Sequence, residues 1–258
     1  MCLILFSLDR HPVYRLVFAA NRDEFYNRPT SPADFRRAGA FIAGKDLKSG
    51  GTWMGITKTG RFAAVTNYRE GWKQPENTPS RGHLVRDFLT GDLSPRDYLE
   101  KIKMSAMAYN GFNLLAGNTE GLYYYSNREK KKKKVPPGIH GISNHLLDTP
   151  WPKVQKGKRL FSEIMSTNMK IDPEDLFTLL GDQSKTPDEY LPETGIGMEW
   201  ERILSPIFIV SDIYGTRSSS VILWDKKNNI EFFERNFHPV DGKIIQGETR
   251  VFRFSLKK

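Results

Sequence analysis

The chain opens on an uninterrupted apolar run, Cys2–Leu8, breaks at Asp9-Arg10-His11-Pro12, and resumes as Val13–Ala20. Both runs are apolar at alternate and intervening positions alike, which predicts a hairpin of strands covered on both faces. Shorter runs of the same kind predict strands at Thr52–Thr57, Arg61–Asn67, Phe112–Ala116 and Leu122–Tyr125, and later at Ile207–Val210, Ser219–Trp224, Ile230–Phe233 and Arg250–Phe254. Lys58-Thr59-Gly60 joins the first two as a tight turn, with glycine supplying the unusual dihedral.

Helical spacing takes over in the middle of the chain. Ser80 caps a helix through Leu89 that stops at Gly91, and Ser94-Pro95 opens another through Met104. Pro152–Met165 gathers Val154, Leu160, Phe161 and Ile164 on one side, with its lysines and Arg159 opposite. Asp172-Pro173 starts a short helix ending near Gly181, and residues 182–199 read as a long surface loop. Strands at both ends enclosing helices predict one α+β domain over residues 1–258, with the first and last strands in a common sheet.

Composition narrows the class. A hydrophobic share of 38% and a charged share of 27% describe an ordinary soluble globular protein. The one cysteine excludes an internal disulfide framework and suits a reducing compartment. The opening run is short, lacks a basic flank and meets Asp9-Arg10 at once. It is therefore read as neither signal peptide nor membrane span, and a cytoplasmic protein is expected.

The net charge of +9 invites nucleic acid, but without Lys130–Lys134 it falls to +4. That run leads into Val135-Pro136-Pro137-Gly138 and reads as a solvated hairpin or loop tip. No recognition helix or aromatic platform accompanies it, so no nucleic-acid partner is expected. His11, His83, His140, His145 and His238 show no metal-site spacing, and one cysteine builds no zinc cluster. No metal is expected.

The chemistry begins at Cys2. Loss of Met1, the expected processing beside so small a residue, would set a thiol of pKa about 8.5 against an α-amine of about 7.7–8.0. An N-terminal amine can activate such a nucleophile without a histidine. The competing reading is a small buried core residue. Past the second strand, Asn21-Arg22-Asp23-Glu24 alternates, so that Asn21 and Asp23 share one face and Arg22 and Glu24 the other. Paired glycines in Gly50-Gly51-Thr52-Trp53 permit close backbone approach, with Trp53 as a rigid surface. Asn67 and Asn144 end apolar stretches as amide donors suited to an oxyanion, or as turn residues. Arg217, in Gly215-Thr216-Arg217-Ser218, is a cation able to lower a nearby thiol, or a surface arginine. Together these make an acyl-transfer set without a histidine base, a gap the α-amine fills.

The same segments, with Tyr109-Asn110-Gly111-Phe112-Asn113, resemble the NRDE family, whose animal members are the transport and Golgi organisation protein 2 homologues. The match runs nearly end to end, leaving out the lysine run and much of residues 182–199. It implies an N-terminal-nucleophile hydrolase fold, a four-layer α-β-β-α sandwich of mainly antiparallel sheets, near penicillin V acylase and bile-salt hydrolase. By that resemblance Cys2 would be the nucleophile of an amidase or acylase cutting a non-peptide carbon–nitrogen amide bond. Asn67 and Asn144 would be oxyanion or substrate ligands, and Arg217 would support the thiolate. That branch places an arginine three residues before its aspartate; here Asn21 and Glu24 hold the spacing, with Arg22 and Asp23 between. The supporting carboxylate is thus Asp23 or Glu24.

The resemblance also implies a second class of function, a non-catalytic carrier in haem trafficking or in acyl-CoA or lipid handling. Haem would then be a transported ligand and no resident cofactor is expected. Trp53, Tyr68 and Trp72 would supply apolar contact in either case, and Arg217 would neutralise a ligand's carboxylate. A scaffold without a small-molecule site is the third reading.

Overall fold

The computed structural model describes residues 2–37, 39–71, 75, 77–167, 169–240 and 243–256. In its first half the chain forms β1 (Cys2–Leu8), β2 (Tyr14–Phe25), β3 (Thr30–Arg36), β4 (Phe41–Asp46), β5 (Met54–Thr57) and β6 (Phe62–Asn67). Helices α1 (Arg81–Thr90) and α2 (Pro95–Ser105) follow, then β7 (Phe112–Asn118), β8 (Gly121–Ser126), β9 (Lys132–Lys134) and β10 (Gly138–Ile142). The second half holds α3 (Pro152–Thr167), α4 (Pro173–Leu180), α5 (Met198–Ile203), β11 (Tyr214–Asp225), β12 (Asn229–Val240) and β13 (Lys243–Ser255).

Two antiparallel sheets stack face to face. One has six strands in the order β10-β1-β2-β11-β12-β13, and the other runs β3 to β9 in chain order. The first and last strands thus share a sheet, as expected. Period-two alternation decides which side chains meet. In β1, Ile4, Phe6 and Leu8 enter the core between the sheets with Phe18, Phe62, Tyr124 and Phe232. Leu3 and Leu5 point the other way, against Val154, Phe161 and Leu176 of α3 and α4. On the far side, Val65, Phe112 and Leu114 pack under Leu84, Phe88 and Leu99 of α1 and α2. The result is the α-β-β-α sandwich.

Several expectations change. Ile207–Val210 forms no ladder: besides an isolated bridge from Val210 to Gly215, its backbone bonds to Asp182, Thr216 and the Asn21 side chain, with Ile207 and Ile209 buried. Of the two readings of the lysine run, the hairpin holds: Lys132–Lys134 is an edge strand paired antiparallel with Tyr123–Tyr125, and lysines on an edge discourage further pairing. Residues 182–199 hold a helical turn at Asp188–Tyr190 and run into α5. Lys153, expected on the solvent side of α3, is buried. Among the described residues no helix is long and apolar enough to cross a membrane.

Candidate active site

Cys2 lies opposite Arg22 in the β1–β2 ladder, Arg22 opposite Ser218, and Ser218 opposite Asn236. Residues facing one another across an antiparallel ladder leave the sheet on the same side. All four line one cavity of about 510 Å³ at the open end of the sandwich. The opposite wall comes from the second sheet and α1, including Trp53, Asn67 and Arg81. Gly51 makes that wall possible: a Cβ there would come within 2.6 Å of the Gly82 backbone, and Thr52 N–H donates to the Gly82 carbonyl at 3.2 Å. Gly51 and Gly82 together let α1 dock its first turn against the start of β5.

Cys2 is buried, 8% exposed. Burial pushes its thiol above the ordinary range, while Arg22 and the Asp23 backbone N–H pull it back down. Burial thus favours the neutral thiol over the thiolate. Asp23 is buried beside it, and burial raises its carboxyl. Thr216 Oγ1 donates to Asp23 Oδ1 at 2.7 Å, and Tyr214 OH donates to the Asp23 carbonyl at 2.8 Å. Gly215 is required here, since a Cβ would strike Tyr26 Oη at 2.1 Å. Glu24, by contrast, sits near two guanidiniums, Arg22 at 3.8 Å and Arg28 at 3.6 Å. Of the two carboxylates, Asp23 is the one that acts on the Cys2 thiol.

A buried charge cluster backs the site. Arg69 Nη1 donates to Glu201 Oε2 at 2.6 Å, with both side chains under 5% exposed, 4% and 3%. Lys153 Nζ donates to the Leu204 carbonyl at 2.8 Å. Burial pushes its ammonium down to about 8, with Asp23 and Cys2 among the groups that act against this. Arg81, whose Nη1 donates to the Gly111 carbonyl at 3.0 Å, is pushed down by burial to about 10.

The structure sorts the sequence candidates. Cys2, Arg22, Asp23, Glu24, Asn67, Trp53 and Arg217 converge on the cavity. Asn21 does not: its Nδ2 donates to the carbonyls of Leu180 at 2.8 Å and Ile207 at 2.9 Å, and its Oδ1 accepts from Ser219. It pins α4 and the following segment to β2, on the helix side. Arg217 occupies a bulge in β11 between Thr216 and Ser218, which re-aims its side chain. Its Nη1 donates to the carbonyls of Phe25, Tyr26 and Arg28, so it clips the turn after β2. Arg22, not Arg217, is the guanidinium that lowers the Cys2 thiol.

Asn67 and Asn144 work as a pair. The Asn67 side-chain amide faces the cavity and bonds to none of the described residues. Asn144 is fully buried and absent from the cavity wall. Its Nδ2 donates to the Asn67 carbonyl at 3.2 Å and its carbonyl accepts from Arg69 N–H at 2.7 Å. Tyr68 turns away, its hydroxyl 2.7 Å from His145 Nε2. Trp72 lies outside the described residues.

Sequence reasoning missed Arg69, Arg81, Lys153 and Glu201. No local signal marks them: Lys153 reads with the other lysines of α3 as solvent-facing.

Residues 1–239 match the family described as Transport and Golgi organisation 2. The chain belongs to that family. It is 36% identical over 278 residues to the Transport and Golgi organization 2 homolog of Mus musculus, covering 100% of each chain. Against the Drosophila melanogaster protein of the same name it is 29% identical, covering 93% of this chain and 94% of that one. Among solved structures, penicillin V acylase from Agrobacterium tumefaciens superposes with a TM-score of 0.54 at 12% identity, covering 99% of this chain and 86% of that one. The Caenorhabditis elegans N-acylethanolamine-hydrolyzing acid amidase ortholog gives 0.51 at 12% identity, covering 86% and 92%. The chain therefore shares its fold with that acylase and that amidase.

Proposed function

We propose that this protein is a cysteine amide hydrolase acting on a small, non-peptide carbon–nitrogen amide bond. The observation that carries the reading is the convergence of the Cys2 thiol, the Arg22 guanidinium and the Asn67 amide on one cavity. The two proteins of like fold are named an acylase and an amidase, which supplies the chemical class.

The steps follow from the residues. Removal of Met1 frees the Cys2 α-amine, which takes the thiol proton. Arg22 and the Asp23 N–H stabilise the sulfur anion as it forms. The sulfur attacks the substrate carbonyl, and Asn67 Nδ2 donates to the oxygen that gains charge. Collapse returns the proton to the leaving amine and leaves a thioester on Cys2. Water, deprotonated by the same α-amine, attacks the thioester and releases the acid. Asn144 acts through Asn67 by fixing its carbonyl.

The cavity's lining favours a polar substrate over a large apolar ligand such as haem. Among the described lining residues Trp53 and Val65 are the large apolar side chains, set among Arg22, Arg28, Arg81 and Arg217. Amine release from a panel of acyl amides, run beside Cys2→Ser, tests the reading. Turnover lost in the variant supports it. Turnover unchanged in Cys2→Ser, or absent from protein verified to lack Met1, overturns it.

A further inference from the structure

The cavity has a second polar pole. Glu234, on β12, is 2% exposed and lines the cavity on the same sheet as Cys2. Its Oε1 accepts from Ala33 N–H at 2.6 Å and from Asn236 Nδ2 at 3.1 Å. These two bonds fix the carboxyl group. Its Oε2 takes no hydrogen bond from the described residues and faces Gly44, where a Cβ would stand 3.7 Å from it.

No lysine, arginine or histidine of the described residues comes within 4.0 Å of this carboxylate; Arg250 and Arg22 act on it only from farther away, and each pairs with another carboxylate, Arg22 with Glu24 and Arg250 with Asp34. Buried carboxylates are ordinarily paired, because an unpaired buried charge is costly. Oε2 thus lacks a partner at contact distance among the described residues, and Glu234 lines the cavity.

Building on the amide-hydrolase reading, we propose that Glu234 is a distal subsite for a cationic, hydrogen-bond-donating group, an ammonium at the far end of the substrate's acyl chain. The ladder sets the reach. From Cys2 through Arg22 and Ser218 to Asn236 is three strand spacings, about 14 Å. Glu234 follows two residues along β12 on the same face. A substrate bridging the two poles is therefore a medium-length chain, amide at one end and ammonium at the other. Burial raises the Glu234 carboxyl, and an ammonium seated on Oε2 opposes that shift.

Calorimetric binding to the Cys2→Ala protein, which cannot turn over, tests the subsite separately from the chemistry. The probes are ω-aminooctanamide and ω-aminododecanamide, each against the alkanamide of equal length ending in methyl. The expected result is tighter binding of an ammonium-tipped probe by about ten- to a hundredfold, the range of a hydrogen bond to a charged group. That preference collapses when Glu234→Gln is added and returns in part with Glu234→Asp. Circular dichroism confirms that each variant is folded. Equal binding of the two tips, a preference that survives Glu234→Gln, or no binding of either ammonium probe overturns the subsite. Turnover of these amides by protein with Cys2 intact reports on the amide reading alone. Hydrolysis without tip preference defeats only the subsite, and tip preference without hydrolysis defeats only the chemistry.

Discussion

Cys2 and Arg22 face each other directly across the β1–β2 ladder, so the thiol and the guanidinium leave the sheet on one side and share one cavity wall. That relationship sets the behaviour of the thiol. Burial raises it and Arg22 lowers it, so replacing Arg22 raises it further and leaves less thiolate at any given pH. Iodoacetamide labelling of Cys2 is expected to be slow at neutral pH and to speed up as pH rises. In Arg22→Gln the whole rate–pH curve should move to higher pH. A shift produced by Arg217→Ala but not by Arg22→Gln would reverse this assignment.

Asn67 and Asn144 should separate by type of defect. Asn67→Ala removes the cavity-facing amide and is expected to cost on the order of 10²–10³ in kcat, with little change in stability. Asn144→Ala deletes the bond to the Asn67 carbonyl and leaves alanine at a φ of 58°. It should cost about 1–3 kcal/mol of stability along with its loss of rate. Steady-state kinetics and urea unfolding of both variants make the comparison.

The Arg69–Glu201 pair is sealed from water, and Thr194 N–H also donates to Glu201 at 3.1 Å. Glu201→Leu strands the guanidinium and is expected to destabilise the protein by about 3–5 kcal/mol in chemical denaturation. Replacing an exposed pair such as Arg159–Glu163 should change it by under about 1 kcal/mol.

Asp148 ties β10 to α3, accepting from His140 Nδ1 at 2.7 Å, Gly141 N–H at 3.0 Å and Lys158 Nζ at 2.6 Å. Against the upward pull of burial, these bonds hold its carboxyl down to about 2. A lowered folded-state pKa stabilises above the unfolded value of about 3.9 and is lost as pH falls through the folded one. The stability gap between wild type and Asp148→Asn should therefore be constant at neutral pH and shrink between about pH 4 and pH 2. Thermal melts across that range measure it; a gap that widens on acidification would contradict the assignment.

How much of this was legible in the sequence depends on what held each residue in place. β1 and β2 were readable because their apolar runs are covered on both faces, and Ser94-Pro95 because capping is local: Asp97 N–H donates to Ser94 Oγ at 3.1 Å. β3 and β4 were not. Pro32 and a bulge between Ser31 and Asp34 break the alternation of β3, as suits a sheet edge. Cys2, Asp23 and Asn67 stood out as polar or thiol groups at strand ends, and they line one cavity. Asn21 misled because its partners, Leu180 and Ile207, lie far along the chain, and no local signal separates a structural amide from a catalytic one. Lys153 and Glu201 were hidden for a like reason: burial of a charge is set by its tertiary partners.

The central claim is that Cys2, once exposed as the first residue, accepts an acyl group. Treating the purified protein with a slowly hydrolysed acyl β-lactone, followed by intact-mass and peptide mapping, tests it most directly. The expected result is one acyl group on Cys2, as a thioester released by neutral hydroxylamine, confined to molecules that have lost Met1. An unmodified Cys2 in such molecules, or acylation confined to other residues, would contradict it.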